Sequence, residues 1–358
     1  MKNVEKYLSL LQSDSEGLLL TSRCSRYYAA EFDIAEGVAI VTAKGCRYFT
    51  DSRYIESAEN GITGMQVQMV GRGVGYFQLI NQAVADFGIE KLGYEENYLT
   101  VAEFLAYEKN IKAELVPMQK SINAFRSTKE PWELDLMIKA QEITDRAFAE
   151  ICPRIKAGMT EKELAAELIY CLYKNGGEGL SFPPIVVSGP NTSLPHGVPG
   201  DRKIQEGDFI TMDFGVVYKG YCSDMTRTVA LGYATEEMEK VYNTVLEAQL
   251  AGIAISKAGV IGADVDGAAR KIITDAGYGP NFGHGYGHSL GLEVHESPSP
   301  NGRNTAPMPC GAVCSAEPGI YLPGKFGVRI EDVVVFQDGG CRILTASPKN
   351  LIVVPVEK

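Results

Sequence analysis

The sequence predicts an α/β chain of two domains, a small α/β unit over residues 1–122 and a larger one over 123–358 that is built twice over. Three observations predict this. At 358 residues the chain is too long for one ordinary core. Its texture changes near residue 123, and beyond that point helices, strands, helices and strands follow in the order of a duplicated unit. One pair of segments repeats in its letters: 207-GDFITMDFG-215 and 311-GAVCSAEPG-319 each deliver a carboxylate, Asp213 or Glu317, two residues before a closing glycine.

The elements follow in order. In the first domain 37-GVAIVTAKGCRYFTD-51 reads as a hairpin turning at Lys44-Gly45, and 76-YFQLINQAVADFG-88 carries a helical period. In 118-MQKSINAFRSTKEPWELDLMIKA-140 a helix start is signalled by Ser127 or Thr128 as cap, Pro131 in the first turn, and Glu130 and Glu133 near the positive end. Helices are expected at about 130–157 and 160–175, then strands to about 232. Two further helices, at about 235–257 and 262–276, precede strands to the end.

Composition excludes several function classes. With 45% apolar and 22% charged residues the chain is that of a folded soluble protein. Charges are scattered through MKNVEKYLSLLQSDSEGLLL at the start, and nowhere do eighteen apolar residues run together, so neither a membrane span nor a secretory signal is read and a cytoplasmic location is expected. A net charge of −11 argues against a nucleic-acid partner. The eight cysteines lack CxxC spacing and read as reduced, buried thiols, with Cys310 and Cys314 in an apolar run that looks like strand.

Chemistry gathers at separated points. If Tyr218-Lys219 forms the turn of 208-DFITMDFGVVYKGYCSDMTRTVAL-231, Asp213 falls opposite Asp224, where like charges ~5 Å apart repel. Either both face solvent or a cation offsets them, and the apolar flanks Met212 and Phe214 favour the cation. In 327-GVRIEDVVVF-336 alternation puts Val328, Ile330 and Val334 on one face and Arg329, Glu331 and Val333 on the other. Alone, Arg329 and Glu331 would read as an ion pair on a sheet. Three of the four histidines crowd into 283-GHGYGHSLGLEVHE-296, where glycines let backbone approach something closely.

Together, MDFG, SDMTRT, GHSLGLEVHE, AEPGIY and GVRIED closely resemble the motifs of the pita-bread metallopeptidases of the aminopeptidase P and prolidase type, in order and with that family's spacing. In the first domain 48-YFTDSRYIESA-58 resembles the creatinase-type N-terminal domain. The resemblance implies a pita-bread catalytic domain with a pseudo-twofold duplication and two divalent ions per chain. One ion would be held by Asp213, Asp224 and Glu331, the other by Asp224, His288, Glu317 and Glu331. Four carboxylates and one histidine form a hard donor set, which favours manganese, with cobalt, iron or zinc as alternatives.

The implied reaction is hydrolysis of the bond before proline by a metal-bridged hydroxide, with Glu317 as proton shuttle. His196, seventeen residues before Asp213, and His295 resemble the histidines that stabilise the oxyanion. His284 resembles a residue lining the substrate pocket, and Arg329 is placed with it as a substrate contact. An aminopeptidase acting on Xaa-Pro peptides is the first expectation and a Xaa-Pro dipeptidase the alternative, in a homodimer. A metal-free creatinase-like hydrolase would not need all five ligands, and a non-catalytic binding module would have lost some. Pro183 and Tyr286 depart from the usual pattern, and both are expected to reshape the pocket.

Overall fold

The computed structural model of the chain describes residues 2–356. Two compact units divide between Phe125 and Arg126. In the first, the described residues form a six-stranded mixed sheet in the order Gln66–Val70, Gly45–Asp51, Val38–Thr42, Glu16–Leu20, Lys91–Tyr94, Glu114–Pro117. The helix Tyr76–Phe87 lays Leu79, Ile80, Ala83 and Val84, one stripe at helical spacing, against Ile40, Phe49 and Leu92 of that sheet. It stops at Gly88, whose φ of 63° suits glycine. The first hairpin pairs Thr42 with Gly45, so its turn residues are Ala43 and Lys44, one position earlier than expected.

In the second unit each half pairs two helices with its own strands. The helices Pro131–Ile151 and Glu161–Lys174 bury Ile143, Phe148, Leu168 and Leu172 against Ile210, Met212, Phe214 and Val229. The helices Glu236–Ile255 and Gly262–Asp275 bury Val241, Val245, Ala269 and Ile273 against Cys314, Ala316, Val334 and Phe336. Two separate cores of the same helix-then-strand order are the duplication expected from the letters. The first helix is capped by Glu130, not by Ser127 or Thr128: Pro131 occupies its first position, and the Glu133 carboxylate accepts from the Glu130 N–H at 2.9 Å. Proline fixes that first turn, which leaves the residue before it as the cap.

The halves are cross-tied by Arg227, which is 1% exposed. Its guanidinium donates to the carbonyls of Thr226, Glu331, Ser347 and Pro348 and to the Asp332 carboxylate. The late strand Val353–Val354 completes the tie by pairing in parallel with Met225–Leu231. Thiol positions depart from expectation at Cys310, which is exposed in the turn ahead of the strand Val313–Ala316, whereas Cys314 within that strand is buried. Among the described residues no helix is long and apolar enough to cross a membrane.

Candidate active site

The antiparallel pair Phe209–Phe214 and Met225–Leu231 sets Asp213 opposite Thr226, not Asp224. The turn lies at Lys219-Gly220, with φ of 45° and 79°, because Tyr218 pairs with Tyr221. Both central residues of such a turn need positive φ, and glycine meets that need at the second position. The expected register was therefore wrong by two residues. Because side chains alternate with period two, Asp224 keeps its face and becomes a diagonal neighbour of Asp213, about 7 Å away. Between the aspartates the chain bends at Gly215, where a Cβ would stand 2.0 Å from the Ser223 carbonyl oxygen.

The second half supplies Glu317, one residue past Val313–Ala316, and Glu331, in the break between Phe326–Arg329 and Asp332–Gln337. The run 327–336 is thus two strands in two sheets, not one. Its alternation survives the break: Val328, Ile330 and Val334 share a core while Arg329 and Glu331 turn away from it. His288 Nε2 lies 3.3 Å from Glu317 Oε1 and 3.6 Å from Asp224 Oδ2. Asp224, His288 and Glu331 each offer a ligand atom within 4.8 Å of the others.

These groups fit a cation. Asp213 Oδ1, Asp224 Oδ1 and Glu331 Oε1 are buried without a hydrogen-bond donor, and a buried carboxylate oxygen left so is costly. Burial first, then the charges of Asp213 and Glu317, push the Asp224 carboxyl well above its ordinary range. Burial and the Asp224 charge do the same to Glu331, and burial raises Glu317 as well. Burial lowers His288, favouring the neutral imidazole that ligates metals.

Three residues that the sequence reading passed over hold these groups. Thr226 donates to Glu331 Oε2 at 2.7 Å and accepts from Arg329 Nε at 3.1 Å. Ser315 donates to Glu317 Oε1 and accepts from the His288 N–H, each at 3.0 Å. Tyr321 accepts from Arg329 Nη1 at 2.8 Å and lies 2.9 Å from His284 Nε2. Thr226 and Ser315 each stand two residues from a ligand, so strand alternation already carried the signal. Arg329, expected to meet substrate, lines the cleft, but its guanidinium donates to Asp213 Oδ2 at 2.6 Å, Thr226, Tyr321 and the Pro195 carbonyl. Both ring nitrogens of His284 are engaged too, Nδ1 with the Gly285 carbonyl at 2.9 Å.

Asp213, Asp224, Glu317, Glu331 and His288 share one cleft of about 950 Å³ with His196, His284 and His295. The glycines between the histidines have a steric cause where packing is closest: a Cβ on Gly287 would sit 2.0 Å from the Ser315 carbonyl oxygen. Pro183 lines the cleft, but Tyr286 does not. It is 1% exposed, its hydroxyl donates to the Gln249 carbonyl at 2.7 Å, and it packs against the helix Glu236–Ile255, which removes it as a pocket determinant.

At the end of the histidine loop Glu296 is buried against Arg126 and Lys129. Burial alone would raise its pKa, but the two cations and their hydrogen bonds hold it at about 2. A depressed carboxylate contributes stability that is complete above its ordinary value of 4.5 and is lost as pH falls through about 2. The urea stability gap between wild type and Glu296→Gln is therefore expected to stay constant from neutral pH to about 4.5 and to narrow below it; a gap that closes above pH 5 would contradict this pairing.

Comparison with known proteins agrees with this geometry. The model of metallopeptidase family M24 matches residues 135–338, and that of the Creatinase/Prolidase N-terminal domain matches residues 6–128. An uncharacterized peptidase of Bacillus subtilis, YqhT, is 40% identical over 353 residues, 98% of this chain and 99% of its own. A solved Xaa-Pro dipeptidase from Bacillus anthracis superposes with a TM-score of 0.93 at 38% identity, covering 99% of each chain. The X-Pro aminopeptidase from Thermotoga maritima gives 0.93 at 36%, covering 98% of this chain and 99% of its own. With the matching model spanning more than half of its length, the chain belongs to metallopeptidase family M24 and carries a Creatinase/Prolidase N-terminal domain ahead of its catalytic unit.

Proposed function

We propose that the cleft hydrolyses the bond between an N-terminal residue and a following proline, as a Xaa-Pro aminopeptidase. The observation that carries this is the meeting of four acidic side chains and His288, three of the carboxylate oxygens without donors, in one cleft with His196, His284 and His295. In this reading Asp213, Asp224, His288, Glu317 and Glu331 hold two divalent ions, manganese by preference for so oxygen-rich a set. Bound there, divalent ions would acidify water and polarise the scissile carbonyl.

The chain's own residues do the rest. Glu317, within the cleft and tethered by Ser315, takes the proton of the water whose oxygen bonds to the scissile carbonyl carbon and passes it to the proline nitrogen, which leaves as a neutral secondary amine as the C–N bond breaks. His196 and His295 donate to the developing oxyanion and orient the substrate. Arg329 keeps Asp213 in place, and Tyr321 fixes His284 as a wall of the pocket. A homodimer in the cytoplasm completes the proposal.

The size of the cleft bears on peptide length. At about 950 Å³ it lies near the upper end of the ~300–1,000 Å³ typical of small-molecule sites, which leaves room beyond the proline. One observation favours the dipeptidase instead: Arg303 lines the cleft, is exposed, and has no ion-pair partner among the described residues, so it could receive a free proline carboxylate. A Xaa-Pro-Yaa tripeptide should be cut at its first bond, and the same peptide with alanine for proline much more slowly. If only Xaa-Pro dipeptides are cut, and Arg303→Gln raises their KM, the dipeptidase stands. Equal rates with alanine and proline would defeat both.

A further inference from the structure

The His295 ring accepts and donates no hydrogen bond among the described residues; its one ring contact is with His288, at a centroid distance of 4.4 Å. A side chain that must meet a substrate atom within a few tenths of an ångström is thus placed by its backbone. The residue after it is the one that is held. Glu296 Oε1 accepts from Arg126 Nη2 and from the Glu293 N–H at 3.2 Å, and Oε2 accepts from Lys129 Nζ at 2.9 Å. The Glu296 N–H donates to the Ser289 carbonyl at 2.7 Å, which closes the loop between the two histidines. Side-chain exposures of 5%, 2% and 6% for Arg126, Lys129 and Glu296 put all three charges out of water.

The cationic side is itself fixed. Lys129 Nζ donates to the Arg126 carbonyl at 3.0 Å, and the Lys129 N–H donates to the Gly311 carbonyl at 2.9 Å, just ahead of the strand that leads to Glu317. Arg126 also meets Glu293, so two cations face two carboxylates. Gly291 belongs to the same arrangement: a Cβ there would stand 2.8 Å from Glu296 Oε2 and 2.9 Å from Lys129 Cε. Buried ion pairs seldom add net stability over apolar packing of equal volume, because desolvation offsets the attraction. What a pair of fixed length with bonds on both oxygens does supply is a defined position.

We propose that Glu296, clamped by Arg126 and Lys129, is a positioning residue that sets where His295 meets the substrate. The inference rests on the reading that His295 touches substrate. Glu296 itself reaches no reacting atom; it acts only through the residue before it.

The test is a double-mutant cycle on the full-length protein, with Xaa-Pro-Yaa hydrolysis, bound manganese and thermal midpoint measured for each variant. Glu296→Gln is expected to lower kcat by about 10- to 100-fold, the loss that a displacement near 1 Å brings, with bound manganese and KM little changed. In a His295→Ala background the same substitution should change kcat by less than about twofold, since an effect routed through an absent ring disappears. Glu296→Asp, which keeps the charge but shortens the reach, should also lower kcat and serves if the glutamine variant does not fold.

A merely structural Glu296 would multiply its effect onto that of His295→Ala, and that additivity overturns the clamp, as does wild-type kcat in both Glu296 variants. His295→Ala with wild-type turnover would instead overturn the reading of His295, and the proposal with it. A slow His295→Ala with an additive Glu296→Gln overturns the clamp alone.

Discussion

Asp224→Asn is expected to lose hydrolysis by about three to five powers of ten, the several kcal/mol that divalent ions supply at a reacting carbonyl. The same change should abolish measurable binding of one divalent ion in a calorimetric titration with manganese. Its effect on the metal-free protein runs the other way. Asp224 is 3% exposed, one of its oxygens has no donor, and Asp213, Glu317 and Glu331 crowd it. Removing its charge should therefore stabilise the chelated protein by about 1–3 kcal/mol, a few degrees in Tm. Because burial and mutual repulsion raise the Asp224 and Glu331 carboxyls, the folded metal-free protein holds protons more tightly than the unfolded chain. It should gain stability as pH falls from neutral toward the ordinary carboxylate range. Unchanged manganese affinity in Asp224→Asn would remove this residue from the centre.

His196→Ala and His295→Ala are each expected to slow kcat by about two to three powers of ten, the loss seen when one oxyanion donor is removed. Bound manganese should stay near wild type. Both residues line the cleft, and neither belongs to the cluster of Asp224, His288 and Glu331. Burial and then the neighbouring His288 lower the His295 pKa, which favours the neutral ring. A variant of either histidine that fails to hold manganese would show a ligand mistaken for a substrate contact.

What could be read in the letters was whatever repeats locally. Strand alternation put Asp213, Asp224, Arg329 and Glu331 on usable faces, and it did so even where the turn at Lys219-Gly220 and the break at Glu331 were misread, since neither error was odd in register. Helix positions followed from apolar period and from Pro131, although the cap itself went to the residue that proline dictates. Contacts between distant segments were not legible. Nothing in the spacing of Arg126 and Lys129 announces Glu296, some 170 positions later, and nothing around Tyr286 says that its ring leaves the cleft for a helix core. Side chains that hold a ligand look, in one dimension, like any serine, threonine or tyrosine on a strand.

The Arg227 tie gains a further meaning from the order in which a chain is made. Synthesis runs from the N-terminus, so Asp213, Asp224, His288, Glu317 and Glu331 all emerge before Ser347, Pro348 and Val353–Val354. Until those residues follow, Ala230 and Leu231 lack their parallel strand partner, and a guanidinium destined for the interior lacks two of its carbonyls. A nascent chain thus holds every chemical group of the centre without the frame that fixes them.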